Sequence, residues 1–265
     1  ILSAVKDVLD KGHEILYYGP MKTGDLEGVL KGSHYVAEGA EILPERYDKV
    51  LQTPESKVFL AQYDAKQLYY MQYSNRGEAF DPFEAAGINM YNEYFGGGMN
   101  AIVFQEMREA RGLAYSASAT LATPNYNIDD SYKYLAVIAT QNDKMRSAIE
   151  AFDSIINDMP ESEAAFQIAK EAIIGRMRTS RTTGMNVLRL YQSCRRLGLG
   201  EPMNKQIFHD LQTLELNDIV KVQQKWVKDR TYQYAILGDI KDLDTKYLST
   251  LGPVKVLTLE DIFGY

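Results

Sequence analysis

The chain has 265 residues, of which 45% are apolar and 25% are charged, as in an ordinary globular protein. This length allows one large domain or two small ones. The 29 basic and 36 acidic residues give a net charge of −7. An acidic chain without a basic block argues against sequence-independent binding of nucleic acid, which depends on neutralising phosphates. No segment approaches the roughly 18 consecutive apolar residues that indicate a membrane span.

Cysteine and histidine are scarce. The single Cys194 excludes an intrachain disulfide, and His13, His34 and His209 lie too far apart in the sequence to form a local two-histidine metal motif. We expect each histidine to be structural or at the surface rather than a metal ligand. The chain begins at Ile1 without Met, and we interpret it as an excised or processed piece of a longer polypeptide whose compartment stays open.

The N-terminal part predicts a helix over 1–12, a short strand over 13–19 and a helix over 20–32. Residues 33–55 contain two prolines and show no hydrophobic period, which is typical of a linker or an extended arm.

From residue 56 the pattern changes to paired apolar runs. The runs 56–64 and 66–74 are rich in aromatic residues and predict a hairpin or adjacent antiparallel strands. Asp81 and Pro82 then open a helix to about Tyr94, because an N-cap followed by proline at the first position is a helix start. After a glycine run, a second helix is predicted over 99–111.

The remaining elements are two strands, a block of helices, a strand, a helix and an edge strand. The two strands are predicted at 113–123 and 131–141, and the helices of the block at 143–158, 162–179, 186–198, 203–213 and 216–229. The next strand is predicted at 231–239, the last helix at 242–252 and the edge strand at 254–259. The second of these strands is almost continuously apolar, which favours burial on both faces. Because strands and helices come in blocks, we predict an α+β fold with a mixed, mainly antiparallel sheet and helices packed on one face.

An internal repeat predicts the domain organisation. Residues 1–32 and 216–252 share the order helix, strand, glycine, helix, with identities at Val8/Val227, Asp10/Asp229, Gly19/Gly238 and Lys22/Lys241. We therefore interpret 1–34 as the closing elements of a preceding, similar domain, 35–55 as a linker and 56–265 as one complete domain.

Gly96, Gly97 and Gly98 stand between two predicted helices. One interpretation is a tight corner that needs positive φ and close backbone approach. The alternative is a phosphate cradle, as in a nucleotide-dependent enzyme. A phosphate loop would have a preceding strand and a following Gly-Lys-Ser/Thr run, whereas here a helix precedes and Met99-Asn100 follow, so we set that class aside.

The second helix carries Glu106, Arg108, Glu109 and Arg111, an alternation that usually marks a solvated face. This helix, however, ends at Gly112 and leads directly into a strand, which places Arg108 and Tyr115 close to one turn. Guanidinium and phenol groups both donate hydrogen bonds, so together they suit a carbonyl oxygen or an oxyanion.

The run NEYFGGGMNAIVFQEMREARGLAYS, residues 92–116, resembles the signature of the C-terminal, non-zinc half of pitrilysin/insulysin-type zinc peptidases, which include mitochondrial processing peptidase and its bacterial relatives. The resemblance covers about 50–265. It departs from the usual Ser-Ser after Gly-Gly-Gly-Met, since Asn100-Ala101 stand there, a change that we expect to lie at the surface and to leave Arg108 and Tyr115 untouched.

The resemblance implies a two-half chamber. One half carries the zinc motif His-x-x-Glu-His, and the other supplies an arginine and a tyrosine that close the site over the peptide. Carried over by position, these are Arg108 and Tyr115. Neither His-x-x-Glu-His nor His-Glu-x-x-His exists in this chain, so we expect it to hold no zinc and to be inactive alone. The resemblance further implies a zinc-bearing partner domain or subunit and a peptide substrate. The alternative is a catalytically silent scaffold or substrate-binding domain of the same fold.

Overall fold

The structure is a computed structural model that describes residues 2–3, 7, 11–34, 38–41, 50–125 and 127–265. The predicted helix over 1–12 and the linker over 35–55 lie largely outside the described residues. No described helix is both long and apolar enough to cross a membrane.

The described residues form one six-stranded sheet in the order β3-β4-β2-β5-β1-β6. β1 runs parallel to β5 and β6, whereas the β2–β4, β2–β5 and β3–β4 pairs are antiparallel. The sheet is therefore mixed and mainly antiparallel, as predicted. The strands are β1 (Lys57–Gln62), β2 (Gln67–Ser74), β3 (Ser116–Ala122), β4 (Lys133–Gln141), β5 (Gln233–Gly238) and β6 (Val254–Leu257).

The predicted helix block over 143–229 is confirmed, with ends shifted by at most three residues. The two predicted helices before it deviate from α geometry: one becomes π-helical over Asn92–Gly96 and the other over Gln105–Ala110. The helices are α1 (Thr23–Ser33), α2 (Ala85–Tyr91), α3 (Ile102–Phe104), α4 (Met145–Asn157), α5 (Glu163–Thr179), α6 (Met185–Arg196), α7 (Asn204–Leu211), α8 (Leu216–Trp226), α9 (Thr245–Leu251) and α10 (Leu259–Phe263).

The core lies between the helices and one face of the sheet. In β2, buried and exposed side chains alternate: Leu68 and Tyr70 are buried, whereas Tyr69 and Met71 are exposed. The buried set packs with residues such as Phe152 of α4 in one continuous apolar core. Because strand side chains point alternately to the two faces, this pattern places helices on one face and leaves the other open. The predicted α+β class is confirmed.

The prediction that β1 and β2 pair with each other is wrong, because β5 lies between them. The connection from β1 to β2 crosses the end of β5, where Tyr63 N donates to Gly238 O at 2.9 Å. A Cβ on Gly238 would lie only 2.9 Å from the Leu68 Cβ, so glycine makes room for this crossing. Hydrophobic period predicts that a strand exists but not which strand it pairs with.

Two further strand predictions need correction. Residues 13–19 contain no strand, and α1 has no buried residue. β4 lies between β3 and β2, yet its side chains Leu135 and Val137 are only half-buried because they point to the open face. A continuous apolar run here reflects an apolar open face rather than burial on both sides.

Candidate functional site

The glycine run forms the corner between α2 and α3, and its role is close packing. A Cβ on Gly96 would lie 1.9 Å from the Ala119 O of β3, and one on Gly97 would lie 2.7 Å from Asn92 O. None of the three glycines has a positive φ, so that part of the prediction is wrong. The glycines let two helices and a sheet edge meet, with Gly98 contributing no close contact.

Arg108 lies in the π-helical turn that follows α3, near the end of the helix. Gly112 has a left-handed φ of +57° and its N–H donates to Arg108 O at 3.1 Å, which ends the helix as predicted. π-helical turns are rare and are found disproportionately at functional sites. The helix end therefore fixes the position of Arg108 relative to the strand that follows.

Tyr115 stands immediately before β3, and its backbone N–H donates to Ala139 O at 2.9 Å. The side chain is 68% exposed, and its hydroxyl has no hydrogen-bond partner among the described residues. The strand thus holds the tyrosine backbone while leaving the phenol free to donate to a ligand.

The structure brings Arg108 and Tyr115 together. The guanidinium carbon lies 5.4 Å from the centre of the Tyr115 ring and 5.1 Å from that of Phe104. Such distances are those of cation–π contacts. Arg108 pairs with Glu109 at 3.6 Å, and its side chain stays 44% exposed. Two aromatic rings thus orient a guanidinium whose N–H groups remain largely available.

The other charges of this helix behave as a solvated face. Arg111 pairs with Glu106 at 3.1 Å, and both side chains remain partly exposed. The distinction between the two arginines is therefore geometric: Arg108 faces Tyr115, and Arg111 faces a carboxylate.

The histidines do not form a zinc site. His13 and His34 meet, with 2.6 Å between their Nε2 atoms, and His209 lies on α7. Within the described ranges no three His, Cys, Asp or Glu side chains are arranged to hold a metal ion. The residues described here thus do not fit the zinc that the resemblance implies for the peptidase as a whole.

Three contacts at the site were not predicted from the sequence. Asn92 pairs with both backbone groups of Leu121 on the outer edge of β3, at 2.8 and 2.9 Å. Phe104 supports Arg108, and its i, i+4 spacing is a signal that could have revealed it. Lys144 Nζ donates to Gly112 O at 3.1 Å. The two residues are too far apart in the sequence for a local pattern to predict this contact.

The Asn100-Ala101 replacement lies only partly at the surface. Asn100 is exposed, but Ala101 is 2% exposed and is the N-cap residue of α3. The expectation of a surface change is therefore wrong for Ala101, which sits where the helix enters the core.

Comparison with known proteins identifies the fold and the family. Residues 25–173, more than half of the chain, match the family described as "Peptidase M16 inactive domain". The match begins within α1 and ends within α5. No curated protein matches this chain.

Three solved structures are similar in fold. They are a peptidase M16 inactive domain from Pseudomonas fluorescens (14% identity, TM-score 0.61, covering 83% of this chain and 51% of that one), a protease from Helicobacter pylori (14%, 0.62, 82% and 53%) and a conserved protein from Enterococcus faecalis V583 (11%, 0.62, 83% and 50%). This chain thus spans about half the length of these relatives.

The family match agrees with the resemblance carried by residues 92–116 and with the shared fold. The chain therefore belongs to the family of peptidase M16 inactive domains.

Proposed function

We propose that this chain is the half of a zinc-dependent peptidase that closes the active-site chamber and binds the peptide substrate through Arg108 and Tyr115. The zinc would be held by another domain or subunit. The observation that carries this proposal is the placement of an exposed guanidinium against an exposed phenol whose hydroxyl has no partner in the described chain. Because the Tyr115 hydroxyl has no hydrogen-bond acceptor in the described chain, it is available to donate to an acceptor on a bound ligand.

The chemistry expected of the pair is hydrogen-bond donation to a peptide carbonyl. During hydrolysis, negative charge develops on the carbonyl oxygen, and donors that are already in place stabilise that charge more than they stabilise the substrate. The Tyr115 hydroxyl offers one donor and Arg108 offers a planar set of donors. Phe104 and the helix end at Gly112 restrict how far the guanidinium can turn.

Peptide cleavage by the complete enzyme tests the proposal. Arg108→Ala and Tyr115→Phe are each expected to lower kcat/KM by roughly tenfold or more, the scale for losing one oxyanion donor. Arg111→Ala, on the same helix but facing Glu106, and Tyr63→Phe, exposed at the end of β1, are matched controls that should retain activity.

Full activity of both Arg108→Ala and Tyr115→Phe would overturn the proposed roles. The chain would then fit the alternative of a silent scaffold that supports the peptidase without touching the reacting bond.

A further inference from the structure

A cavity of about 220 Å³ lies directly beside Tyr115. We propose that it is a subsite for a carboxylate of the bound peptide, either an acidic side chain or the C-terminal carboxylate. This inference rests on the proposed function, since Tyr115 forms the wall shared by the two sites. The cavity is lined by Gln67, Gly112, Leu113, Ala114, Tyr115, Thr140, Gln141 and Lys144.

Lys144 supplies the positive charge of this cavity. Its Nζ donates one hydrogen bond to Gly112 O at 3.1 Å, and an ammonium group has three donors, so two remain for a ligand. The side chain is half-buried and forms no ion pair with any acidic residue in the described chain. A lysine that is anchored by a carbonyl but lacks a counter-ion is suited to an anionic ligand.

The rest of the lining adds donors and no negative charge. Gln67 and Gln141 face each other as register partners at the ends of β2 and β4. Neither amide side chain has a hydrogen-bond partner in the described part of the chain. No aspartate or glutamate is among the described residues that line the cavity. A carboxylate would thus meet a cation and two amide groups, and charge-assisted hydrogen bonds of this kind are stronger than neutral ones.

The walls of the cavity are fixed by the same turn that positions Tyr115. Thr140 Oγ1 donates to Leu113 O at 2.6 Å, and Tyr115 N donates to Ala139 O. Two consecutive residues of β4, Ala139 and Thr140, therefore hold the turn by hydrogen bonds. A peptide whose carbonyl is bound by Arg108 and Tyr115 would place a neighbouring residue near Lys144, because Tyr115 both contacts Arg108 and lines the cavity.

Binding of short synthetic peptides to this chain, followed by fluorescence anisotropy, tests the inference. One Glu is scanned through successive positions of an otherwise neutral, C-terminally amidated peptide, and each peptide is compared with its Gln and Lys analogues. A Gln peptide with a free C-terminus forms a separate arm. We expect one acidic peptide or the free C-terminus to bind about tenfold more tightly than its neutral counterpart.

Variants of Lys144 assign that preference to the cavity. Lys144→Met should remove the preference without weakening the neutral peptide, Lys144→Arg should retain it, and Lys144→Glu should favour the Lys analogue. Lys246→Met, an exposed lysine on α9, should behave as wild type. Equal binding of acidic and neutral peptides by wild type, or an unchanged preference in Lys144→Met, would overturn the subsite.

The two proposals fail in different ways. If the neutral peptide binds in a manner that depends on Arg108 but no acidic preference exists, only the subsite is wrong. If Arg108→Ala and Tyr115→Phe leave binding of the neutral peptide unchanged while Lys144→Met removes an acidic preference, the subsite stands and the proposed role of the pair fails. Absence of binding by every peptide overturns both.

Discussion

Gly96 lies against β3 so closely that no other residue fits at this position. A Cβ would come within 1.9 Å of Ala119 O and 2.8 Å of Ala119 N, both backbone atoms that cannot rotate away. Gly98, two residues later in the same corner, has nothing within 4 Å of its Cβ position. Close packing therefore requires glycine at position 96, whereas position 98 has room for a larger residue.

We expect Gly96→Ala to lower the free energy of unfolding by about 2–4 kcal/mol, because the helix must move away from β3. Gly98→Ala is the control and should change it by less than about 1 kcal/mol. Urea unfolding measures both values. Equal losses from the two substitutions would show that close packing at Gly96 does not decide its identity.

Asp153 of α4 makes stability depend on pH. Burial, together with the nearby Glu150, raises the pKa of the Asp153 carboxyl to about 6. A folded pKa above the unfolded value of about 3.9 means that the fold favours the protonated acid. This contribution to stability is fully present below about pH 4 and is lost as the pH rises through about 6.

Asp153→Asn carries no charge at any pH and should therefore stabilise the fold by about 2–3 kcal/mol at pH 8, with little effect at pH 4. The free energy of unfolding, measured in urea at both pH values, gives the difference. Asp158→Asn, an exposed neighbour just beyond the helix, serves as the control. A gain from Asp153→Asn of the same size at both pH values would contradict the assignment.

Individual site residues differ in how far the sequence predicts them. Arg108 and Tyr115 are predictable because a helix end and a strand start are only a few residues apart, so local geometry brings them together. Lys144 is not, because its contact with Gly112 depends on how β4 pairs with β3. The buried state of Ala101 is also invisible in the sequence, since alanine is common both in cores and at surfaces.

At the scale of elements, a side chain occupies the outer edge of β3 at Leu121. Asn92 accepts from Leu121 N and donates to Leu121 O, as a neighbouring strand would. An unpaired strand edge is a template for association with other chains, and proteins commonly cover it. The π-helical turn over Asn92–Gly96 thus both packs on β3 and protects its edge.

Asn92→Ala should cost about 1–3 kcal/mol of unfolding free energy, because it leaves two partly buried backbone groups unpaired. Asn89→Ala, one turn earlier, removes only a bond to the helix carbonyl of Ala85 and should cost less. Chemical denaturation measures the loss, and light scattering reports whether the uncovered edge promotes association. A smaller loss for Asn92→Ala than for Asn89→Ala would contradict this role.

Element types were predictable where hydrophobic period was long, as in α4 and α5. Sheet order was not: β1 and β2 are neighbours in sequence, but β5, which begins at Gln233, lies between them in the sheet. Gly238 is the residue in the sequence that this strand order requires, because a side chain there would collide with Leu68. The requirement can be recognised only from the folded structure. Strand pairing depends on packing between segments that are distant in sequence, and local hydrophobic patterns do not predict such packing.

For the molecule as a whole, the two faces of the sheet differ in exposure to solvent. Ile236 and Leu237 are adjacent in β5, yet Ile236 is 1% exposed in the core and Leu237 is 37% exposed on the open face. The open face is nevertheless apolar, with Phe59, Met71 and Val137 around a cavity of about 250 Å³. Helices on a single face and an apolar opposite face together explain the continuous apolar run in β4.

Ile236→Ala should destabilise this chain by about 2–5 kcal/mol, because it leaves a cavity in the core. Leu237→Ala should cost less than about 1 kcal/mol, since its side chain already contacts solvent. Thermal or urea unfolding of the two variants measures the contrast. Equal costs would mean that the open face is buried when this chain stands alone.

The division of the peptidase into a zinc-bearing half and this half is the central claim, and one measurement tests it most directly. Zinc content and peptide cleavage are determined for this chain alone, for a zinc-bearing half alone and for the two combined. We expect no stoichiometric zinc in this chain and cleavage only when both halves are present. Stoichiometric zinc in this chain together with cleavage by it alone would contradict the claim.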